Sequence, residues 1–259
     1  MTDISSDNKT LQHYSVWDRT TRWFHWINVV CVLSLMVIGF VIFNGKVLGV
    51  SGDGKILLKT IHVYIGYVFA VNLVWRLIWG FIGNKYARWK AILPAGKGYW
   101  CSVKAYLVGA KRGEAPQYLG HNPVGRLMVT FLFLLLTTQA VTGFVLAGTD
   151  LYFPPFGNQI AEWVAEEGST SEDIANLKPG SKEGVSSEAY AEMRSFRKPI
   201  ITTHMYVFFT LLVAVFLHVV AVIVTEVREG NGLISAMFTG KKVVIKKPVD
   251  LDFKAKQRL

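Results

Sequence analysis

The chain has 259 residues, of which 51% are hydrophobic, and a formal net charge of +10. Its mean hydropathy of +0.33 argues against an ordinary soluble domain of this length. The excess positive charge lies mainly in segments that border apolar stretches, so it indicates a membrane surface rather than a nucleic acid as its neighbour.

Four apolar stretches are each long enough to cross a bilayer, which takes about 20 residues of helix. They predict an all-α integral membrane four-helix bundle that forms a single domain over residues 1–259. The predicted spans are, in chain order, residues 23–43, 61–82, 127–147 and 200–224. The first span is expected to be retained, because Asp3, Asp7 and Asp18 precede it and no signal-peptide cleavage site follows it.

The charges of the connecting loops predict the orientation of the chain. The second loop, residues 83–126, holds eight Lys and Arg against one acid, whereas the third loop, residues 148–199, holds nine acids against five bases. By the positive-inside rule, the N and C termini and the second loop are cytoplasmic, and the long loop between helices 3 and 4 is periplasmic.

The loops also carry local structural signals. Residues 98–113 of the second loop predict a short amphipathic helix on the membrane surface. Its candidate lipid-facing side chains are Trp100, Tyr106 and Leu107. Asn122 and Pro123 predict the N-cap and the first position of the third long helix, and the third loop is predicted to contain short helices.

Four of the six histidines lie within or at the edge of the predicted spans: His25, His62, His204 and His218. Ionisable side chains at membrane depth are costly and indicate a functional site, although a single one could equally hydrogen-bond a neighbouring helix. His204 and His218 are 14 residues apart on one helix, which corresponds to about 21 Å of rise and an angular offset of about 40°. Both therefore face the same side, one near each membrane surface.

The predicted helix directions allow one pairing of these histidines. The first helix runs outward and the second inward, so His25 is near the inner surface and His62 near the outer one. On the fourth helix, which runs inward, His204 is outer and His218 is inner. We therefore expect His62 to face His204, and His25 to face His218, and each pair to bind a haem iron from both sides. Such iron has no open position, which favours electron transfer over oxygen binding, and the absence of a CxxCH motif excludes the usual covalent attachment.

Arginines near the inner pair are candidate partners of the haem propionates. Arg76 lies 14 residues after His62, on the same helix face and about 21 Å deeper. A buried arginine needs an anionic partner, and a propionate would serve; the alternative is that Arg76 snorkels to the headgroups. Arg22 and Arg126 border the same surface and are weaker candidates. Gly66, one turn after His62, removes side-chain bulk beside the outer pair.

The remaining polar residues are predicted to be structural. His13 lies in the N-terminal tail and His121 in a turn before the third helix, each without a partner at matching depth. In the third helix, Gln139 and Thr142 either border a quinone site or hydrogen-bond a neighbouring helix, and the second interpretation is favoured.

A set of motifs spread over residues 16–242 resembles a known family. The motifs are R-x-x-H-W at residues 22–26, His62, Trp75 with Arg76, Gly-His-Asn-Pro at residues 120–123, and His204 with His218. They are similar to those of the bacterial cytochrome b561 and nickel-iron hydrogenase b-type cytochrome family. The resemblance implies two non-covalent haems b in the bacterial inner membrane, with His25, His62, His204 and His218 as the iron ligands. It also implies respiratory electron exchange with quinone and, in the hydrogenase branch, a periplasmic catalytic subunit as partner.

The favoured hypothesis is therefore an electron-transfer subunit of a respiratory oxidoreductase complex, which links a periplasmic, hydrogenase-like redox protein to the quinone pool. In this hypothesis the cofactor carries the redox chemistry, and no residue is assigned a catalytic role. One alternative is a stand-alone quinone-linked oxidoreductase. Another is a haem-free transporter or metal carrier. The predicted spans argue against it, because they lack the paired helices, interrupted by Gly or Pro, that are typical of transporters.

Overall fold

The structure is a computed structural model that describes residues 12–244 and 246–251. Its elements are β1 (Gln12–Ser15), α1 (Arg19–Phe43), α2 (Gly52–Ile82), α3 (Trp89–Ile92), α4 (Tyr99–Lys111), α5 (Pro123–Leu151), α6 (Gly157–Val164), α7 (Ser171–Ala175), α8 (Ser187–Glu229), α9 (Leu233–Thr239) and β2 (Lys241–Val244). Four of these helices, α1, α2, α5 and α8, are long and apolar enough to cross a membrane. Each predicted span lies within one of them, which confirms the four membrane helices.

The long helices begin at side chains that satisfy their first backbone amides. At the start of α1, Asp18 Oδ1 accepts a hydrogen bond of 2.7 Å from Thr21 N. At the start of α5, Asn122 Oδ1 accepts a hydrogen bond of 2.6 Å from Gly125 N, and Pro123 occupies the first helical position. The predicted N-cap at Asn122 is confirmed, and such capped polar turns extend the helices beyond the apolar stretches.

The predicted amphipathic helix of the second loop corresponds to α4. Trp100 and Leu107 are exposed on its surface, as expected. The prediction for Tyr106 was wrong: its side chain is only 6% exposed, and its hydroxyl donates a 2.6 Å hydrogen bond to Glu229 Oε1 near the end of α8. A tyrosine hydroxyl with a carboxylate partner is stabilised inside the protein rather than against lipid.

The chain divides into two compact units. Among the described residues, the first comprises residues 12–26, Trp75–Leu132 and residues 214–244 and 246–251. Its buried hydrophobic cluster consists of Val16, Trp17, Tyr86, Leu119, Ala236 and Val244. In this unit β1 pairs antiparallel with β2, with Gln12 opposite Val244. This short sheet, which the sequence analysis did not predict, joins segments from the two ends of the chain.

The second unit comprises Ile27–Val74 and Phe133–Val213. The whole of the long third loop, residues 148–199, belongs to it, and the short helices predicted there are confirmed. The loop contributes α6 and α7, and Val164, Val185 and Met193 are among the residues of a second buried cluster. Thr170 and Asp173 form a reciprocal capping box at the start of α7.

Candidate functional site

A cavity of about 420 Å³ lies in the second unit, lined by side chains of α1, α2, α5 and α8. This volume is within the range of small-molecule and cofactor sites. His62 from α2 and His204 from α8 both line it. The centroids of their imidazole rings are 6.5 Å apart and the ring planes are inclined by 68°. The structure therefore brings together the two histidines that the sequence paired.

The spacing of the two rings fits a single iron bound between them. A metal–nitrogen bond is about 2.0 Å long and the ring centre lies about 1 Å further on, so two rings on opposite sides of one metal have centroids roughly 6 Å apart. A bare ion would need more ligands from the protein, and the described residues contain no cluster of three or more His, Cys, Asp or Glu able to hold one. Two histidines suit an iron whose other ligands come from a porphyrin.

A hydrogen bond sets which nitrogen of His204 is available. Thr142 Oγ1 lies 2.8 Å from His204 Nδ1, and the same hydroxyl donates a 2.7 Å hydrogen bond to the Thr138 carbonyl oxygen. Because the hydroxyl proton points to that carbonyl, Oγ1 accepts a hydrogen bond from Nδ1–H, and Nε2 keeps the lone pair that a metal requires. The favoured interpretation of Thr142, a hydrogen bond to a neighbouring helix, is confirmed.

The ring of His62 and the glycines around the pair also fit a cofactor. Within the part of the chain that the structure describes, the buried His62 Nδ1 has no hydrogen-bond partner. Gly66 lines the cavity, and a Cβ atom built there would meet no described atom within 4 Å. A Cβ atom at Gly39 or Gly143 would lie 3.5 Å from His62 Cε1 or 3.6 Å from His204 Cε1. Glycine at these positions keeps the cavity open beside both rings.

Four charged side chains line the same cavity: Lys55, Lys59, Asp150 and Arg197. Lys59 Nζ donates to Asp150 Oδ2 at 2.5 Å. Arg197 Nε and Nη2 donate to the two oxygens of the same carboxylate at 2.5 and 2.9 Å. These residues were not predicted from the sequence. The sequence did contain a signal for the three cations, namely their helical spacing from a histidine. Lys55 and Lys59 lie seven and three residues before His62, and Arg197 lies seven residues before His204.

The other two histidines of the prediction, His25 of α1 and His218 of α8, both belong to the first unit. The ring of His25 meets that of Trp26 edge-on, with centroids 5.3 Å apart. Trp26 Nε1 in turn donates a 3.1 Å hydrogen bond to the Met237 carbonyl oxygen of α9. Arg22 donates a hydrogen bond to the carbonyl oxygen of Phe238. Arg22 and Trp26, which flank His25 in sequence, are therefore both hydrogen-bonded to α9.

Arg76 lies inside the first unit. Its side chain is 3% exposed, and Nη2 donates a 3.0 Å hydrogen bond to the Ala87 carbonyl oxygen. The guanidinium also lies over the rings of Phe24 and Trp89, at 5.7 and 5.8 Å from their centroids. The alternative that Arg76 snorkels to the headgroups was wrong, because protein groups rather than lipid surround it.

His121 lies inside the first unit, and its Nδ1 atom is buried. Its ring packs against that of Trp17 with centroids 5.0 Å apart, in keeping with the predicted structural role. Burial lowers the pKa of His121 to about 3, and the positive charges of Lys242 and Arg76 act in the same direction. His121 is therefore neutral at physiological pH. The sequence feature that pointed to a structural role is the position of His121 in a Gly-His-Asn-Pro turn. His13 lies in β1 opposite Val243, also in keeping with a structural role.

A family model described as prokaryotic cytochrome b561 matches residues 16–240. The chain belongs to this family. This cytochrome is accordingly a haem-containing b-type electron-transport protein that crosses the bacterial inner membrane several times. The four candidate ligand histidines, Arg22 and Arg76 lie within the matched residues.

Curated relatives of this cytochrome carry names of hydrogenase subunits. The "Probable Ni/Fe-hydrogenase 1 B-type cytochrome subunit" of Escherichia coli K12 is 36% identical over 183 residues, which cover 65% of this chain and 75% of the relative. The "Probable Ni/Fe-hydrogenase B-type cytochrome subunit" of Azotobacter vinelandii is 29% identical over 61% of this chain and 70% of the relative. The protein of the same name from Bradyrhizobium diazoefficiens is 24% identical over 88% of this chain and 85% of the relative.

Proposed function

We propose that this cytochrome carries electrons between a hydrogenase-like redox partner in the periplasm and the quinone pool of the inner membrane. It would bind two haems b, one between His62 and His204 and one between His25 and His218. The observation that carries the proposal is the 6.5 Å separation of the His62 and His204 rings at a cavity of about 420 Å³. When bound, haem b supplies the one-electron oxidation and reduction of its iron.

The side chains around each pair adapt the site to electron transfer. Each haem would be held by two imidazoles, and an iron held in this way would have no position open for oxygen or a substrate. The mainly apolar side chains of the cavity exclude water, and this low-dielectric shell helps to set the redox potential. Near His25 and His218, Arg76 and Arg22 supply positive charge for propionates. Arg76 is buried, and its Nη2 donates to the Ala87 carbonyl oxygen, so the guanidinium is held inside the protein.

The long third loop is the proposed contact with the redox partner. The positive-inside rule assigns it to the periplasm, and it holds nine acids against five bases. The short helices α6 and α7 give it a folded surface, on which Glu162, Glu167 and Glu172 are exposed. The names of the relatives support a hydrogenase as the partner.

Replacing Glu162, Glu167 and Glu172 together with Gln is expected to slow hydrogen-dependent reduction of the cytochrome several-fold, because charge complementarity mainly raises the association rate. The reduction is followed by absorbance in membranes that contain the hydrogenase. Haem per chain should stay unchanged. Glu114→Gln, in the second loop, is the matched control and should have no effect. Unchanged reduction in the triple variant would place the partner elsewhere.

Thr142→Val is expected to weaken haem binding at His204 roughly tenfold, because the partner that orients a metal-bound histidine typically contributes 10- to 100-fold in affinity. Thr142→Ser keeps the hydroxyl and should restore binding. The measurement is the rate of haem loss to an excess of apomyoglobin. Thr138→Val is the matched control, since the Thr138 hydroxyl donates to the Leu134 carbonyl oxygen, 2.9 Å away. Equal haem loss from the two valine variants would contradict a special role for Thr142.

A further inference from the structure

The charged side chains at the His62–His204 cavity have no role in the function proposed above. Lys55 and Lys59 of α2, Asp150 of α5 and Arg197 of α8 all line the cavity. Asp150 accepts hydrogen bonds from Lys59 and Arg197 through both of its oxygens. Lys59 and Arg197 contact the carboxylate, whereas Lys55 is exposed and lines the same cavity, so the four side chains together carry a formal charge of +2.

Helical spacing places these cations on the same helix faces as the histidines. Lys55 and Lys59 precede His62 by seven and three residues, and Arg197 precedes His204 by seven, which corresponds to one or two turns. The side chains of Lys59, Arg197 and Asp150 are 27%, 25% and 15% exposed. The attraction of Lys59 and Arg197 for an anion is therefore screened less than that of more exposed charges such as Lys55.

We propose that Lys55, Lys59 and Arg197 bind the two propionate carboxylates of the haem held by His62 and His204. This inference rests on the proposed function, since it concerns the cofactor of that cavity. Two propionates match the surplus of two positive charges. After binding Asp150, Lys59 keeps two of its three N–H donors and Arg197 keeps three of its five. Asp150 holds Lys59 and Arg197 in place, so these two cations would be positioned to receive the propionates.

The competing interpretation is an ion cluster that only ties α2, α5 and α8 together. Such a structural link would be indifferent to the carboxylates of the cofactor, whereas a propionate site requires them. The two interpretations therefore differ in their response to a haem whose propionates are esterified and carry no charge.

The test compares haem b with its dimethyl ester. Both are titrated into the apo form of the His218→Ala variant, which should retain only the His62–His204 site, and binding is followed by absorbance. The ester is expected to bind roughly 10- to 100-fold more weakly than haem b, the contribution typical of hydrogen bonds to charged groups. Adding Lys55→Gln to this variant should weaken the binding of haem b roughly tenfold. The binding of the ester should not change, because the ester has no propionate charge for Lys55 to bind. Lys46→Gln, an exposed lysine that does not line the cavity, is the matched control and should change neither.

Lys55→Gln is the decisive variant because it leaves both ion pairs of Asp150 intact, whereas Arg197→Gln removes one of them. Equal affinities for haem b and the ester, with no effect of Lys55→Gln, would overturn the propionate site and leave the proposed function intact. If the parent variant, folded, bound neither compound, the proposed function itself would fail.

Discussion

Replacing either His62 or His204 with alanine is expected to remove one haem per chain, and replacing both is expected to remove no more. The reason is that both rings, whose centroids are 6.5 Å apart, are expected to hold the same iron. Without one of the two histidines, the other would not hold the haem tightly enough for it to be retained. Residues that act as a unit give such non-additive effects. The measurement is haem per chain in purified protein, from the absorbance of the pyridine complex.

Double variants with one substitution in each unit test the pairing further. His62→Ala with His218→Ala should lose both haems, because these residues belong to different pairs. His13→Ala is the matched control, since His13 lies in β1 and belongs to neither pair, and it should keep both haems. A His62→Ala, His204→Ala variant that lost two haems would contradict the pairing.

Gly66→Leu is expected to abolish binding of the haem between His62 and His204 while the other haem stays bound. A leucine at this position extends into a cavity where a Cβ atom meets no described neighbour within 4 Å, so the side chain would occupy cofactor space. The folded protein gains apolar contacts instead of a clash, so its amount in the membrane should not fall. Haem per chain should fall from two to one.

Gly52→Leu is the matched control for this substitution. Gly52 lies at the start of the same helix, does not line the cavity, and likewise leaves open space for a Cβ atom. We expect it to retain two haems. If Gly66→Leu also retained two, the cavity would have to be larger than it is or the cofactor would have to lie elsewhere.

The four membrane helices could be predicted from sequence because about 20 apolar residues in a row admit few other structures. Their ends could not. The fourth span was predicted from residue 200, where the apolar stretch begins, yet α8 starts at Ser187 and includes Pro199. Met193, in the part before the proline, belongs to a buried cluster of the second unit. Packing of this kind outweighs local propensity.

The pairing of His62 with His204 was predictable because a helix has a fixed rise and rotation per residue, which turns sequence spacing into depth and direction. The cluster around Asp150 was not, since its members lie on three helices and outside the predicted spans. Its interactions depend on which helix faces meet, and one sequence does not specify that. For the same reason Tyr106 was assigned to lipid although Glu229, distant in sequence, accepts its hydrogen bond.

The most direct test of the account is a reduced-minus-oxidised absorption spectrum of the purified protein, with haem quantified per chain. The account predicts two haems b per chain and the spectrum of low-spin, bis-histidine iron in both oxidation states. A folded preparation from haem-replete cells with no haem, or with high-spin iron, would contradict it.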